Sequence, residues 1–334
     1  MTSLCLQPIA SANETTNQEI GSRKNEGRIM QHVISLIDLT TEDIEGILDR
    51  SLELKSGFQL GERPPLLQGN VVAQLFEKPS LRTRNSFESA MIQLGGGGIF
   101  LTTDEVGLKG REALSDVARV LSSYSDVIVM RTFSHDLIRE FAGFSECPVI
   151  NGLSDELHPC QALTDMMTIK EVFGELNGQR VVYVGDGNNV ARSLAVATSL
   201  LRLPLTVCAP TDYQLTDEFL TELKLRVPSA DVIQTDDPAA AVKDADVVYT
   251  DVWASMGQEA EADDRKEAFA GFQVNESLMA QAPPHCRFMH DMPARRGLEV
   301  TDGVLDGPQS IAFIQAENRM HLAKGLFVWL LQNR

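Results

Sequence analysis

The stretch FEKPSLRTRNSFE, residues 76–88, places two arginines, two serines and a threonine where a short apolar run ends and helical spacing begins. In a parallel sheet the loop after a strand faces the ligand, and the free N–H groups of the following helix favour an anion. Pro79 helps start the turn and Ser80 is placed to cap the helix, so that Arg82, Thr83 and the backbone amides at Leu81 and beyond can surround a dianion. The plain alternative is a capped amphipathic helix with its arginines in water. Two more arginines stand at element ends: Arg131 closes VIVMR, and Arg319 opens the last helical segment in AENR. Such positions suit bidentate recognition of phosphate or carboxylate.

Three further stretches carry polar groups at element ends. HPCQ sets His158 before a proline-started helix with Gln161 in its first turn; alone, this is equally a polar helix start. YVGDGNN has Gly185 and Gly187 between a strand and a helix and invites a dinucleotide reading. Against that, the third fingerprint position is Val190, and Asp186 would turn a negative charge toward a pyrophosphate. DVWASMG follows the strand ADVVYT, where Asp251 is suited to an ammonium group or to capping an ordinary turn.

These loops need a scaffold. A chain of 334 residues exceeds one ordinary core and predicts two domains. The 43% apolar content supports a sizeable interior, and the net charge of −18 argues against a broad nucleic-acid surface. It leaves room for a local anion site, because local charge can oppose net charge. The 5 cysteines are scattered without a CxxC, which disfavours a disulfide framework or zinc cage and fits a reducing, cytoplasmic setting. No apolar run reaches membrane-spanning length. Residues 1–29 are polar and lack a signal-peptide core; they read as a disordered tail, or as an over-called start preceding Met30.

Apolar runs at NVVAQLF, GGGGIFLT, DVIVMR and PVIN alternate with helical segments, including one capped at Thr41 and others at 111–123, 135–144 and 159–173. The rhythm restarts at QRVVYVGDGNN and continues through LTVCAP, DVIQTDD, ADVVYTD and CRFMH, ending in an amphipathic segment, AENRMHLAKGLFVWLLQ. Alternating strands and helices predict two consecutive α/β domains with parallel sheets, divided near residues 170–178.

Taken in order, FEKPSLRTRNSFE, RTFSH, INGLSDELHPCQAL, YVGDGNN, YTDVWASMGQE and QAENRMH resemble the aspartate/ornithine carbamoyltransferase family, from about residue 30 to the C-terminus. The resemblance implies a carbamoyl-phosphate domain at 30–172, an ornithine domain at 173–314, and a C-terminal helix at 315–334 returning to the first domain. It implies that Ser80, Leu81, Arg82 and Thr83 hold the phosphate and that Arg131 bridges phosphate and carbamoyl oxygen. His158, Gln161 and Arg319 would grip the carbamoyl group, while Asn189, Asp251, Ser255 and the Met256 backbone would bind the amino acid. The implied reaction joins carbamoyl phosphate to L-ornithine, giving L-citrulline and phosphate, and needs no metal or organic cofactor. A homotrimer is implied too, with Lys109 or Arg111 of GLKGRE reaching a neighbouring site.

Two departures stand out. Leu81 replaces a threonine common in the family loop, leaving its backbone amide. HDMP stands where ornithine enzymes typically read HCLP, so Asp291 takes the place of a cysteine near the reactive amine. Asp291 can bind that amine and act in catalysis, face Arg295 or Arg296, or mark a different amine such as putrescine or an N-acylornithine. A ligand-binding relative without catalysis is the remaining alternative.

Overall fold

Short runs of valine, isoleucine and leucine, buried on both faces, form strands that helices must cover; such runs build parallel sheets. The structure is a computed structural model and describes residues 31–108, 110–254 and 259–332. The tail expected at 1–29 lies outside the described residues, as do Lys109, Ser255 and Met256.

The first sheet comprises β1 (Val71–Phe76), β2 (Gly97–Thr102), β3 (Val127–Arg131) and β4 (Val149–Leu153) in the order β2-β1-β3-β4, parallel throughout. The second comprises β5 (Val181–Val184), β6 (Leu205–Cys208), β7 (Val232–Thr235), β8 (Val247–Thr250) and β9 (Arg287–His290) in the order β7-β6-β5-β8-β9, again parallel. Every residue of β3 and of β5 is buried. Each sheet reverses its winding once, between β1 and β3 and between β5 and β8. At such a reversal the outgoing loops diverge and leave a crevice beyond the strand ends.

The helix Thr41–Gln59 starts one residue earlier than the sequence suggested. Its cap is Thr40, not Thr41, because Thr40 and Asp43 satisfy each other's backbone N–H groups in a capping box. The last helix, Ala312–Gln332, departs from the expected amphipathic pattern. It threads among the helices Thr41–Gln59, Leu81–Gln93 and Pro159–Phe173, so residues 321–328 are buried on every side. Gly325 permits that approach: a Cβ there would lie 2.0 Å from Ser51 Oγ and 2.9 Å from the Ile47 carbonyl. This packing returns the helix to the first sheet's side of the molecule. The two sheets share one continuous apolar cluster, which passes through Leu163 and Met166 to Val190, Leu194 and Tyr183. The four described cysteines are buried, and Cys160, Cys208 and Cys286 are free thiols.

Candidate active site

Both crevices open into one cavity of about 670 Å³, lined by Ser80, Arg82, Thr83 and Arg131 from the first sheet and by Asn188, Asn189 and Asp251 from the second. His158, Asp291 and Arg319 also line it. Two hydrogen bonds lace its floor across the sheets, from the His158 N–H to Ser193 Oγ at 2.7 Å and from Asn189 Nδ2 to the Ser154 carbonyl at 2.7 Å.

On the first-sheet side, Ser80 caps the helix Leu81–Gln93 by accepting the Thr83 N–H at 3.2 Å. That leaves the first N–H groups of the turn available to an anion. The loop arginines divide. Arg82 turns into the cavity, whereas Arg84 stacks on Phe100 at 3.7 Å and pairs with Glu88, so it is spent on packing. Leu81 is 73% exposed and can offer little beyond its backbone.

Thr83 Oγ1 accepts from Arg131 Nη1 at 3.1 Å and from Arg319 Nη2 at 3.0 Å, drawing two buried guanidinium groups to one point. Burial and the charges of Arg319 and Arg82 pull Arg131 down to about 10. Burial likewise lowers Arg319 and Arg82. Arg82 and Arg319 press on Arg131, while Asp291 across the cleft draws all three the other way.

His158 Nε2 lies 3.3 Å from Arg319 Nη1, which can only donate, so the ring proton sits on Nδ1. Burial, then Arg319 and Arg131, keep the ring well below its ordinary range and hence neutral. Nδ1 has no protein partner among the described residues, and neither does Arg131 Nε. Gln161 is not on the cavity wall. Its Oε1 accepts from Arg319 and its Nε2 donates to Asp165 at 2.8 Å, placing it behind the arginine.

On the second-sheet side, Asn188 caps the helix Asn189–Leu200 through Oδ1 and holds Asp251 through Nδ2 at 3.1 Å. Asp251 Oδ1 accepts the Val252 N–H at 2.6 Å. Asp251 is buried, and burial together with Asp291 raises its pKa well above the carboxylate range. Oxygens of Asp251 and Asp291 and a ring nitrogen of His290 lie within 4.8 Å of one another.

Asp291 Oδ1 is 3.5 Å from His290 Nδ1, and Glu299 lies 3.2 Å from Nε2. Burial opposes charging that ring, yet the hydrogen-bonding pull of Asp291 and Glu299 raises it to about 9. The Met292 N–H, 2.9 Å from Nδ1, opposes protonation there. In the neutral ring the proton therefore sits on Nε2, toward Glu299. Neither neighbouring arginine neutralises Asp291: Arg296 is engaged by Asp302 and Asp306, and Arg295 forms no ion pair with Asp291 among the described residues.

The glycines of GDGNN serve packing instead of a pyrophosphate. A Cβ on Gly187 would meet Leu215 N at 2.6 Å, and Asp186 is paired with Arg265 at 2.7 Å. Ser255 and Met256 fall outside the described residues, and Arg111 bonds the Glu105 carbonyl and Glu112 within its own loop. Sequence reading passed over Asp165, Gln315, Lys78 and Arg265. Asp165 follows Gln161 by four residues and Gln315 precedes Arg319 by four, a helical spacing that could have flagged both.

Family models match both halves of the chain. The carbamoyl-P binding domain of aspartate/ornithine carbamoyltransferases matches residues 31–171, and the Asp/Orn binding domain matches residues 177–330. The chain belongs to the aspartate/ornithine carbamoyltransferase family. It is 48% identical over 300 residues to the ornithine carbamoyltransferase of Anoxybacillus flavithermus, covering 89% of this chain and 96% of that protein. Identity to the Bacillus subtilis ornithine carbamoyltransferase is 45% over 301 residues, covering 90% and 93%. Among solved structures, ornithine carbamoyltransferase from Pyrococcus furiosus superposes with a TM-score of 0.87 at 44% identity, covering 91% of this chain and 98% of that one. Within this carbamoyltransferase family the two switch-point crevices coincide with the two matched domain models.

Proposed function

We propose that the protein transfers the carbamoyl group of carbamoyl phosphate to the side-chain amine of L-ornithine, releasing L-citrulline and phosphate. One observation carries this reading: buried Arg131 and Arg319 with half-buried Arg82 share a cavity with buried Asp251 and half-buried Asp291. An anionic donor relieves the first cluster, and a cationic acceptor relieves the second.

In this reading Ser80, Arg82, Thr83 and the amides at Leu81 and Arg82 hold the phosphate. Arg131 spans phosphate and carbamoyl oxygen, Arg319 joins it, and the free Nδ1–H of His158 donates to that oxygen. As the amine attacks, charge builds on the carbamoyl oxygen and on the departing phosphate, where these fixed donors already point. Holding both substrates in one cleft supplies much of the remaining acceleration. Gln161 supports the carbamoyl grip from behind Arg319.

Asp251 receives the α-ammonium, with Asn189, Ser255 and the Met256 backbone completing the amino-acid site and Asp291 facing the reactive amine. Residues 30–172 and 173–314 act as the two substrate domains, with 315–334 tying back to the first. A homotrimer in the cytoplasm, with Lys109 or Arg111 reaching across subunits, completes the proposal. A relative from Pyrococcus furiosus carries the name anabolic ornithine carbamoyltransferase, which favours a place in arginine synthesis here.

The test is a ureido-product assay with L-ornithine, putrescine, N-acetylornithine and L-aspartate as acceptors. Citrulline formation far exceeding the others is expected. Preference for putrescine or N-acetylornithine would reassign the acceptor through Asp291, and no product with any amine would make the chain a binding relative.

A further inference from the structure

Asp165 sits out of contact with the cavity, fully buried in the helix Pro159–Phe173, yet both halves of the site meet at one of its atoms. Oδ1 accepts from Gln161 Nε2 at 2.8 Å and from Gln315 Nε2 at 2.7 Å. A carboxylate oxygen only accepts, so each glutamine must turn its NH₂ group to Asp165 and its carbonyl away. The Gln161 carbonyl thereby receives Arg319, which also touches Thr83 and His158. The Gln315 carbonyl receives the backbone N–H of His290 at 2.9 Å, at the end of the strand that carries Asp291. One unbroken chain of hydrogen bonds thus runs from the phosphate loop through Arg319, Gln161, Asp165 and Gln315 to the amine side.

We propose that Asp165 is a positioning residue for carbamoyl transfer: by fixing the orientation of the Gln161 amide it aims Arg319 at the carbamoyl group, and through Gln315 it holds the β9 loop against the same reference point. The inference rests on the function proposed above. Without an acceptor at residue 165 the Gln161 amide is free to flip. Its NH₂ would then face a guanidinium that only donates, leaving Arg319 without its acceptor. Burial raises Asp165 to about 7, against the hydrogen bonds from Gln315 and Gln161. Neither glutamine uses its other oxygen, Oδ2, so a proton there would leave the Oδ1 contacts in place.

The discriminating measurement compares carbamoyl phosphate with inorganic phosphate by calorimetry on the full chain. Phosphate needs the Ser80–Thr83 loop, whereas the carbamoyl group also needs an aimed Arg319. Asp165→Leu, similar in volume but without an acceptor, should weaken carbamoyl phosphate about 10- to 100-fold and phosphate less than about 3-fold. Asp165→Asn keeps an oxygen for both glutamines and should restore carbamoyl-phosphate affinity to within about 3-fold of the unsubstituted protein.

Equal losses for both ligands in Asp165→Leu, or no loss for either, would overturn the assignment. If Asp165→Leu does not fold, two near-isosteric changes decide. Gln161→Met removes the carbonyl that receives Arg319 and should lose affinity selectively for carbamoyl phosphate, whereas Asp165→Asn keeps an oxygen at the shared point and should not. Unchanged affinity in Gln161→Met, or a selective loss in Asp165→Asn, would refute the role. Failure of the unsubstituted protein to make citrulline would count against the proposed acceptor alone, since these titrations involve no amine.

Discussion

The two crevices share a plan and differ in charge. Each lies where a parallel sheet reverses its winding, and each presents a capped helix start: Ser80 caps one helix, Asn188 the other. Beyond β1 and β3 the chain gathers Arg82, Arg131 and Arg319, all lowered chiefly by burial. Beyond β8 and β9 it gathers Asp251 and Asp291, with Asp251 raised by burial and by its neighbour. In each cluster burial and a like-charged neighbour work against the charged form. The sign of the crowding in each crevice is opposite to the charge of the substrate proposed for it.

The largest expected effect breaks the cationic half alone. Arg82→Ala should weaken carbamoyl phosphate by about 1.5–3 kcal/mol, the scale of a hydrogen bond to a charged group, while leaving the fold intact. Calorimetric titration checks it, and unchanged affinity would remove the loop from the phosphate site. Asp251→Asn is the mirror experiment. It keeps a side chain that Asn188 can still hold, but removes the charge that faces an α-ammonium. Ornithine KM should rise about tenfold with carbamoyl-phosphate affinity within about twofold. Equal losses for both substrates would make Asp251 a capping residue whose damage is general.

How much of this was legible in the sequence follows from the reach of each interaction. Ser80 could be read as a cap because its partner is three residues away. The role of Thr40 was assigned one position late because Thr40 and Thr41 offer the same chemistry, and only the backbone decides which lies outside the helix. The network below the cavity was not legible as a network. Gln315 and Asp165 stand 150 residues apart, and Asp186 meets Arg265 across 79. The last helix misled for the same reason: its polar residues looked solvent-facing, whereas Lys55, Glu171 and Asn318 satisfy one another among packed helices. Ordered motifs revealed which crevice binds what, while the support behind the crevices belongs to tertiary structure.

Asp165 offers a sharper comparison, of stability against function. An acid raised from 3.8 to about 7 is bound to its proton longer in the folded than in the unfolded chain. Between those values the folded state holds more protons, so stability falls as pH rises from about 4 to about 7 and then levels off. The groups that set this are Gln161, Gln315 and Tyr249 around the carboxyl and the charge of Asp291 across the cleft. Asp165→Asn has no charge to bury. It should match the parent near pH 4 and exceed it at pH 8 by about 1 kcal/mol or more, each kcal/mol a rise of roughly 1–2 °C in Tm for a chain of this size. Melting curves at the two pH values that shift in parallel would show that Asp165 is not the titrating group.

The smallest effect addresses Asp291, the residue that sets this chain apart from the HCLP pattern. The attacking amine must be neutral, yet an alkyl ammonium has a reference pKa near 10.4. A carboxylate about 4 Å away favours the charged form by up to about 4 kcal/mol at an effective dielectric of 20. Neither Arg295 nor Arg296 offsets it, which removes one of the three arrangements open from sequence. The charges of Arg82, Arg131 and Arg319, each coupled to Asp291 across the cleft, reduce the remaining pull. Asp291 then helps ornithine to bind while delaying its deprotonation. Asp291→Cys should raise ornithine KM severalfold and move the alkaline rise in rate about one unit toward lower pH, equivalent to about 1.4 kcal/mol. Superimposable rate–pH profiles would show that Asp291 does not face the amine. Collapse of kcat at constant KM would instead identify its carboxylate as the general base that accepts the amine's proton, in which case position matters more than charge.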